Sequence, residues 1–257
     1  MTHPYFAGTG LPRVLAHRGL ATPEGEESSV WENSAGAFAQ AVTAGAEFIE
    51  TDCQVTADGD VVLFHDDTLE RLTGDQRPVS AVRTAELRAL FAEHGGLMTV
   101  GEALDAFPDT RFNIDVKTDA AAEPIGALVA AHTQRLLITS FSDARRLRAL
   151  DAIRRAGAAE PPATSGGRRS IVALRALSAL HVVPGTALRG IDAVQIPVAQ
   201  GSFRVLTPAL LRAAHRHGVE VHVWTVNDPA QMRELRELGV DGIISDHADV
   251  ALRTLAA

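Results

Sequence analysis

Cysteine is nearly missing from this 257-residue chain, with Cys53 the single example. One thiol excludes an internal disulfide framework and any CxxC metal site, and its place in a strand-like run marks it as a core residue. Basic residues are scarce beside acidic ones, 24 against 32. The formal net charge of −8 argues against nucleic acid as a partner, because phosphates demand a cationic surface. An anionic substrate would then need a local positive site. Long apolar runs are also missing, and none approaches the roughly 18 residues of a membrane span. The opening MTHPYFAGTGLPR has no basic segment followed by an apolar one, so the expectation is a cytoplasmic protein with no transmembrane segment. No Pro-, Gly- or Ser-rich linker separates halves of different composition, and 46% hydrophobic residues suffice for one large core. A single domain over residues 1–257 is expected.

What is present is a rhythm. Strand-like runs VLAHRG (14–19), EFIETDCQV (47–55), RFNIDVK (111–117), LLITSF (136–141), PATSG (162–166), AVQIPV (193–198), VEVHVWTV (219–226) and DGIISD (241–246) alternate with amphipathic helical stretches. Several helices end on Gly, at Gly45, Gly157, Gly218 and Gly239, where a left-handed C-terminal cap is expected. Eight such units predict a (β/α)8 TIM barrel. A doubly wound open sheet is the alternative, but no GxGxxG or P-loop sequence supports nucleotide binding there.

Residues 56–100 break the rhythm. VVLFHD (61–66) follows ADGD before any helix, which predicts a hairpin after the second strand and a small hairpin-plus-helix insertion over about 67–100. With Asp58 and Gly59 as the two central turn residues, Asp52 is expected to face His65 across the hairpin.

The second strand carries Glu50 and Asp52 two residues apart, so both carboxylates point to one face, while Phe48, Ile49, Thr51 and Cys53 supply apolar cover. Like charges so close need an offsetting cation. Chemistry in a barrel gathers at the carboxyl ends of the strands, and those ends carry His17, Arg18, Glu50, Asp52, His65, Asp66, Asp115 and Lys117. Three carboxylates with no thiolate favour Mg²⁺ or Ca²⁺ and leave the two histidines free for proton transfer. Arg18 and Lys117 suit phosphate oxygens. Other features read differently: His222 as a packed barrel residue, Asn33 or Ser34 as a helix N-cap, and GGRR (166–169) as an ordinary loop or an anion site.

In order along the chain, AHRG, WENS, IETD, ADGDVVLFHDDTLERLTG, FNIDVK, VHVWTVND and VDGIISDHAD resemble the blocks of the glycerophosphodiester phosphodiesterase family. The resemblance implies a metal-dependent hydrolase acting on a small-molecule glycerophosphodiester. It implies catalysis by His17 and His65, metal ligation by Glu50, Asp52 and Asp115, phosphate contacts from Arg18 and Lys117, and Trp224 lining the site. Two positions depart from the family pattern. Asp115 stands where Glu is usual, and Trp31, after the acidic stretch TPEGEESS, stands where Pro is usual. Two other readings use the same residues: a lysophospholipase D or sphingomyelinase D-like lipid phosphodiesterase, and a phosphate-binding barrel without turnover.

Overall fold

The computed structural model describes residues 3–21 and 29–256, so most of loop 21–31, which its acidic sequence offers as a local specificity element or a solvated excursion, lies outside the described residues. Eight parallel strands close on themselves: β1 (Arg13–His17), β2 (Phe48–Val55), β3 (Arg111–Val116), β4 (Leu136–Thr139), β5 (Ala163–Gly166), β6 (Ala193–Pro197), β7 (Glu220–Trp224) and β8 (Gly242–Ser245). Each pairs with the next, and β1 also pairs with β8, through Val14 to Ile243 for example, which completes a (β/α)8 barrel. PATSG, poor in β-formers, still forms β5, because its small residues are fully buried between β4 and β6.

Alternation along β2 divides the barrel from its shell. Ile49 and Cys53 join the outer core with Phe38, Phe112 and Ile114, under the surrounding helices. Phe48 does not cover that face. It shares the inward face of Glu50 and Asp52 and packs at the bottom of the barrel with Leu15, Leu137, Ile244, Tyr5 and Phe6. The short 3-10 turn Pro4–Phe6 supplies those last two rings as a plug. Tyr5 meets Phe48 edge-on at 5.3 Å between ring centroids. His222 is fully buried above this plug, bonded to Glu220 at 3.0 Å, as expected of a packed barrel residue.

The hairpin follows β2 with a register different from the expected one. Cys53 pairs with Leu63 and Val55 with Val61, so Asp52 lies opposite Phe64 and not His65. The loop has three central residues, closed by Thr56 N–H donating to the Asp60 carbonyl, and Gly59 takes φ 93°. A type I turn followed by one left-handed residue gives this geometry. The Asp58 side chain stabilises it by accepting from the Thr84 amide at 3.0 Å and from the Thr56 hydroxyl at 2.6 Å.

Beyond the return strand Val61–Leu63, helices Glu70–Thr73 and Thr84–Phe91 enclose a satellite core of Val62, Phe64, Leu69, Val79, Val82, Leu87, Phe91 and Leu97. Burying Leu87 or Phe91 there contributes about 1.5–3 kcal/mol each. Trp31 belongs to this packing: it stacks on His94 at 3.9 Å and meets Phe91 edge-on. A second hairpin, Ala199–Gln200 with Phe203–Arg204, projects after β6 and has no counterpart in the strand-like runs above.

Candidate active site

The carboxyl ends of the strands surround a cavity of about 860 Å³. His17, Arg18, Glu50, Asp52, His65, Asp115, Lys117 and Trp224 all line it, so every residue singled out for the site is brought to one place. His65 arrives there despite the shifted register. The return strand ends at Leu63, and past that point two-residue alternation no longer dictates where a side chain points.

The acids are deeply buried and unequally paired. Asp52 receives Lys117 Nζ at 2.9 Å, Arg18 Nε at 3.2 Å and the Asn33 amide at 3.1 Å. Burial alone would raise its pKa, but Lys117 and Arg18 hold it below the usual carboxylate range. Glu50 lacks such partners, and burial together with the Asp52 charge pushes it up to about 8. Two neighbouring carboxylates are thereby driven apart in acidity by their surroundings. Asp115 shares Lys117 at 2.9 Å, yet burial still raises it. Lys117 therefore bridges Asp52 and Asp115, and not Asp119, which pairs with Arg145. Arg18, with a positive φ of 55°, turns from Asp52 to Glu32 at 2.9 Å.

Each histidine has its own carboxylate. His17 Nδ1 lies 2.5 Å from Asp246 Oδ1, and its Nε2 lies 3.8 Å from Glu50 Oε2. His65 Nδ1 lies 2.5 Å from Asp66 Oδ1. An ionised carboxylate only accepts, so each Nδ1 carries the proton and donates it, leaving Nε2 as the ring's other functional nitrogen. Burial lowers the His17 pKa, but Asp246 and Glu50 outweigh it and the net shift is upward. Asp246, itself held at about 2, is anchored by Asn227 at 2.7 Å. Its position in ISDHAD, at the end of the eighth strand, was the available signal for this role. Ser34, not Asn33, caps helix Ala35–Thr43. Asn33 instead accepts from the Thr51 hydroxyl at 2.7 Å and donates to Asp52, fixing that acid's orientation.

Among the described residues, no three His, Cys, Asp or Glu side chains are grouped closely enough to hold a metal as they stand. The donor set still fits a hard cation. Glu50 Oε2 and Asp115 Oδ1 are buried with no hydrogen-bond partner, which is costly unless a ligand takes up their lone pairs. The GGRR stretch does not supply an open anion site. Asp143 fills the start of helix Arg168–Ala179, accepting from the amides of Gly167 at 2.9 Å and Arg169 at 3.1 Å. Gly167 is required for this approach, because a Cβ there would lie 2.7 Å from the Asp143 nitrogen. The remaining wall of the cavity is largely apolar, from Phe141, Ile171, Val172, Phe203 and Val205.

A closed (β/α)8 barrel with two carboxylate-backed histidines, three buried acids and the cations Arg18 and Lys117 beside them around one cavity has the components of an acid–base hydrolase. Residues 17–250 match the glycerophosphoryl diester phosphodiesterase family. The chain is 36% identical over 248 residues to the probable glycerophosphodiester phosphodiesterase 2 of Mycobacterium tuberculosis, covering 95% of this chain and 90% of that one. Lysophospholipase D of Rattus norvegicus is 25% identical over 274 residues, with 92% and 84% covered. In fold, the chain resembles a phosphodiesterase of Oleispira antarctica solved with the product sn-glycerol-3-phosphate, at TM-score 0.70, 20% identity and coverage of 96% and 97%. The Thermotoga maritima glycerophosphodiester phosphodiesterase gives TM-score 0.71 at 24% identity, covering 95% and 99%. The chain belongs to the glycerophosphoryl diester phosphodiesterase family, and it is an enzyme of the phosphoric diester hydrolase class.

Proposed function

We propose that the enzyme hydrolyses a glycerophosphodiester to sn-glycerol 3-phosphate and an alcohol by two-histidine acid–base catalysis that depends on a divalent cation. The observation that carries this reading is the pair His17–Asp246 and His65–Asp66, two oriented imidazoles on one cavity that also holds Arg18 and Lys117. Glu50, Asp52 and Asp115 would hold the cation, Mg²⁺ or Ca²⁺, which would polarise the phosphate as a Lewis acid. The unpartnered oxygens of Glu50 and Asp115 support that assignment.

The protein's own groups do the rest. Arg18 and Lys117 bind phosphate oxygens and keep the diester against the acid cluster. One imidazole accepts a proton at Nε2 from the attacking oxygen, which is water or the substrate's glycerol hydroxyl. The other imidazole, protonated at both nitrogens, donates its Nε2 proton to the leaving alkoxide; the two rings then reset by proton exchange with solvent, or, where the glycerol hydroxyl attacks first, by reversing roles as water opens the cyclic phosphate. Fixed carboxylates behind each Nδ1 hold the rings in orientation and stabilise the imidazolium form when it arises. Trp224 and Phe141, with ring centroids 6.0 Å apart, wall the cavity on the far side of Lys117, whose Nζ lies 5.5 Å from the Phe141 ring, and the alcohol is placed against them.

A coupled assay for glycerol 3-phosphate release, run across several glycerophosphodiesters with and without added Mg²⁺ or Ca²⁺, tests this reading. Metal-stimulated release is expected. No release from any diester, at any metal concentration, would overturn it.

A further inference from the structure

His65 differs from His17 in what stands behind its carboxylate. Asp246 directly follows β8 and its carboxylate is anchored by Asn227, whereas Asp66 sits in the loop after the hairpin, where Gln54 of β2 holds the backbone carbonyls of His65 and Asp66 but not the Asp66 carboxylate. Its support is Arg71, from the short helix Glu70–Thr73. Arg71 Nε donates to Asp66 Oδ2 at 2.6 Å, while its two terminal nitrogens grip the Glu32 carboxylate, one of them at 3.3 Å. Glu32 in turn pairs with Arg18, and Arg18 with Asp52. A continuous chain thus runs His65–Asp66–Arg71–Glu32–Arg18–Asp52, from the proton-transfer histidine to the acid cluster. Arg71, Asp66 and Glu32 are not among the residues lining the cavity, so Arg71 acts from behind the site.

We propose that Arg71 is a positioning residue: it clamps Asp66 against Glu32, and so fixes the ring orientation and Nδ1–H tautomer of His65. An isolated half-exposed ion pair would contribute little. This one differs because the guanidinium uses both edges on two carboxylates, and each of those carboxylates has a second partner inside the site. Without the clamp, Asp66 is free to rotate into solvent and His65 loses the acceptor that keeps Nε2 available to the substrate.

The inference rests on His65 being an acid–base residue, so its test has one arm that needs no turnover. In the substrate-free enzyme, nitrogen-15 NMR of the imidazole rings should show His65 with a downfield Nδ1–H bound to Asp66. Arg71→Met should abolish that proton signal, while Arg77→Met, which removes only a surface pair with Asp75 and Glu86, should leave it. An unchanged signal in Arg71→Met overturns the proposal, whatever the enzyme's activity. In the kinetic arm, Arg71→Met should lower kcat roughly 10- to 100-fold, the size usual when the partner of a functional histidine is lost, with KM nearly unchanged. Arg71→Lys, which keeps the charge and loses the fork, should show the same loss in smaller degree and serves if the Met variant does not fold. Added to Asp66→Asn, Arg71→Met should cost nothing further. Additive losses, or a rise in KM alone, overturn it. A wild-type enzyme with no turnover on any diester, but with the NMR result intact, would sink the functional reading and leave the clamp standing.

Discussion

The two ends of the barrel hold the same kinds of group in opposite states. At the bottom, Glu220 is a part-buried carboxylate whose Oε2 takes both Arg13 at 3.1 Å and His222 at 3.0 Å, near the rings of Tyr5 and Phe6. At the top, Glu50 is more deeply buried, yet its Oε2 has no hydrogen-bond partner and lies 3.8 Å from His17 Nε2. A saturated carboxylate contributes to the fold alone. An unsaturated one costs stability and is kept where a ligand completes it. Residue type therefore does not separate the two ends; whether the carboxylate oxygens have protein partners does.

Removing the ligand should expose the difference most strongly. Excess chelator is expected to abolish diester hydrolysis and added Mg²⁺ or Ca²⁺ to restore it, and Glu50→Gln should weaken cation binding measured by calorimetry. Full activity in EDTA would erase the distinction between the ends. Next in size, His17→Ala and His65→Ala should each lower kcat by roughly 10² to 10⁴, with cation affinity close to wild type. A variant that instead lost the cation would move that histidine among its ligands.

The bottom should answer in stability and not in rate. Glu220→Gln removes the charge beside the buried Arg13; breaking a fully buried pair costs about 3–5 kcal/mol, and the loss at this part-buried one should be smaller. Denaturant unfolding should show that loss, while kcat per folded molecule stays unchanged. A collapse of kcat without loss of stability would mean that the floor of the barrel takes part in the chemistry. The smallest effect lies off the barrel, at Asp58. Its folded pKa is lowered to about 2 by hydrogen bonds from Thr56 and Thr84. Its contribution is therefore present above its ordinary carboxylate range and is lost as pH falls through about 2. Asp58→Asn should lower Tm slightly at neutral pH, where the contribution is fully present, and flatten the acid limb so that the two proteins converge between about pH 4 and 2; an acid limb identical to wild type would contradict this.

Much of the top end was legible in the sequence, because period-two alternation puts Glu50 with Asp52 and Asp115 with Lys117 without any long-range knowledge. The eight strands were legible for the same reason, down to the poorly β-forming PATSG, once the rhythm on either side was counted. The hairpin register was not. Ala57, Asp58 and Gly59 fit a two- or a three-residue loop equally well from their identities, and the contact that decides, Asp58 to Thr84, spans 26 residues. Nor could local pattern show that Lys117 would bridge two acids, that Asp246 would back His17, or that Tyr5 and Phe6 would plug the bottom. Each depends on how the barrel closes. The GGRR helix start was legible as an anion site in kind, but its occupant, Asp143, comes from the preceding helix.

The His17–Asp246 pair joins residues 229 positions apart, across the seam where β1 meets β8. A ribosome delivers His17 early and Asp246 almost at the end of the described chain. Through nearly all of synthesis the chain has neither the strand that closes the barrel nor the carboxylate that meets His17 Nδ1. Seam closure is thus a switch thrown once per molecule. A chain cut short before the eighth strand would lack both the seam partner of β1 and the carboxylate beside His17.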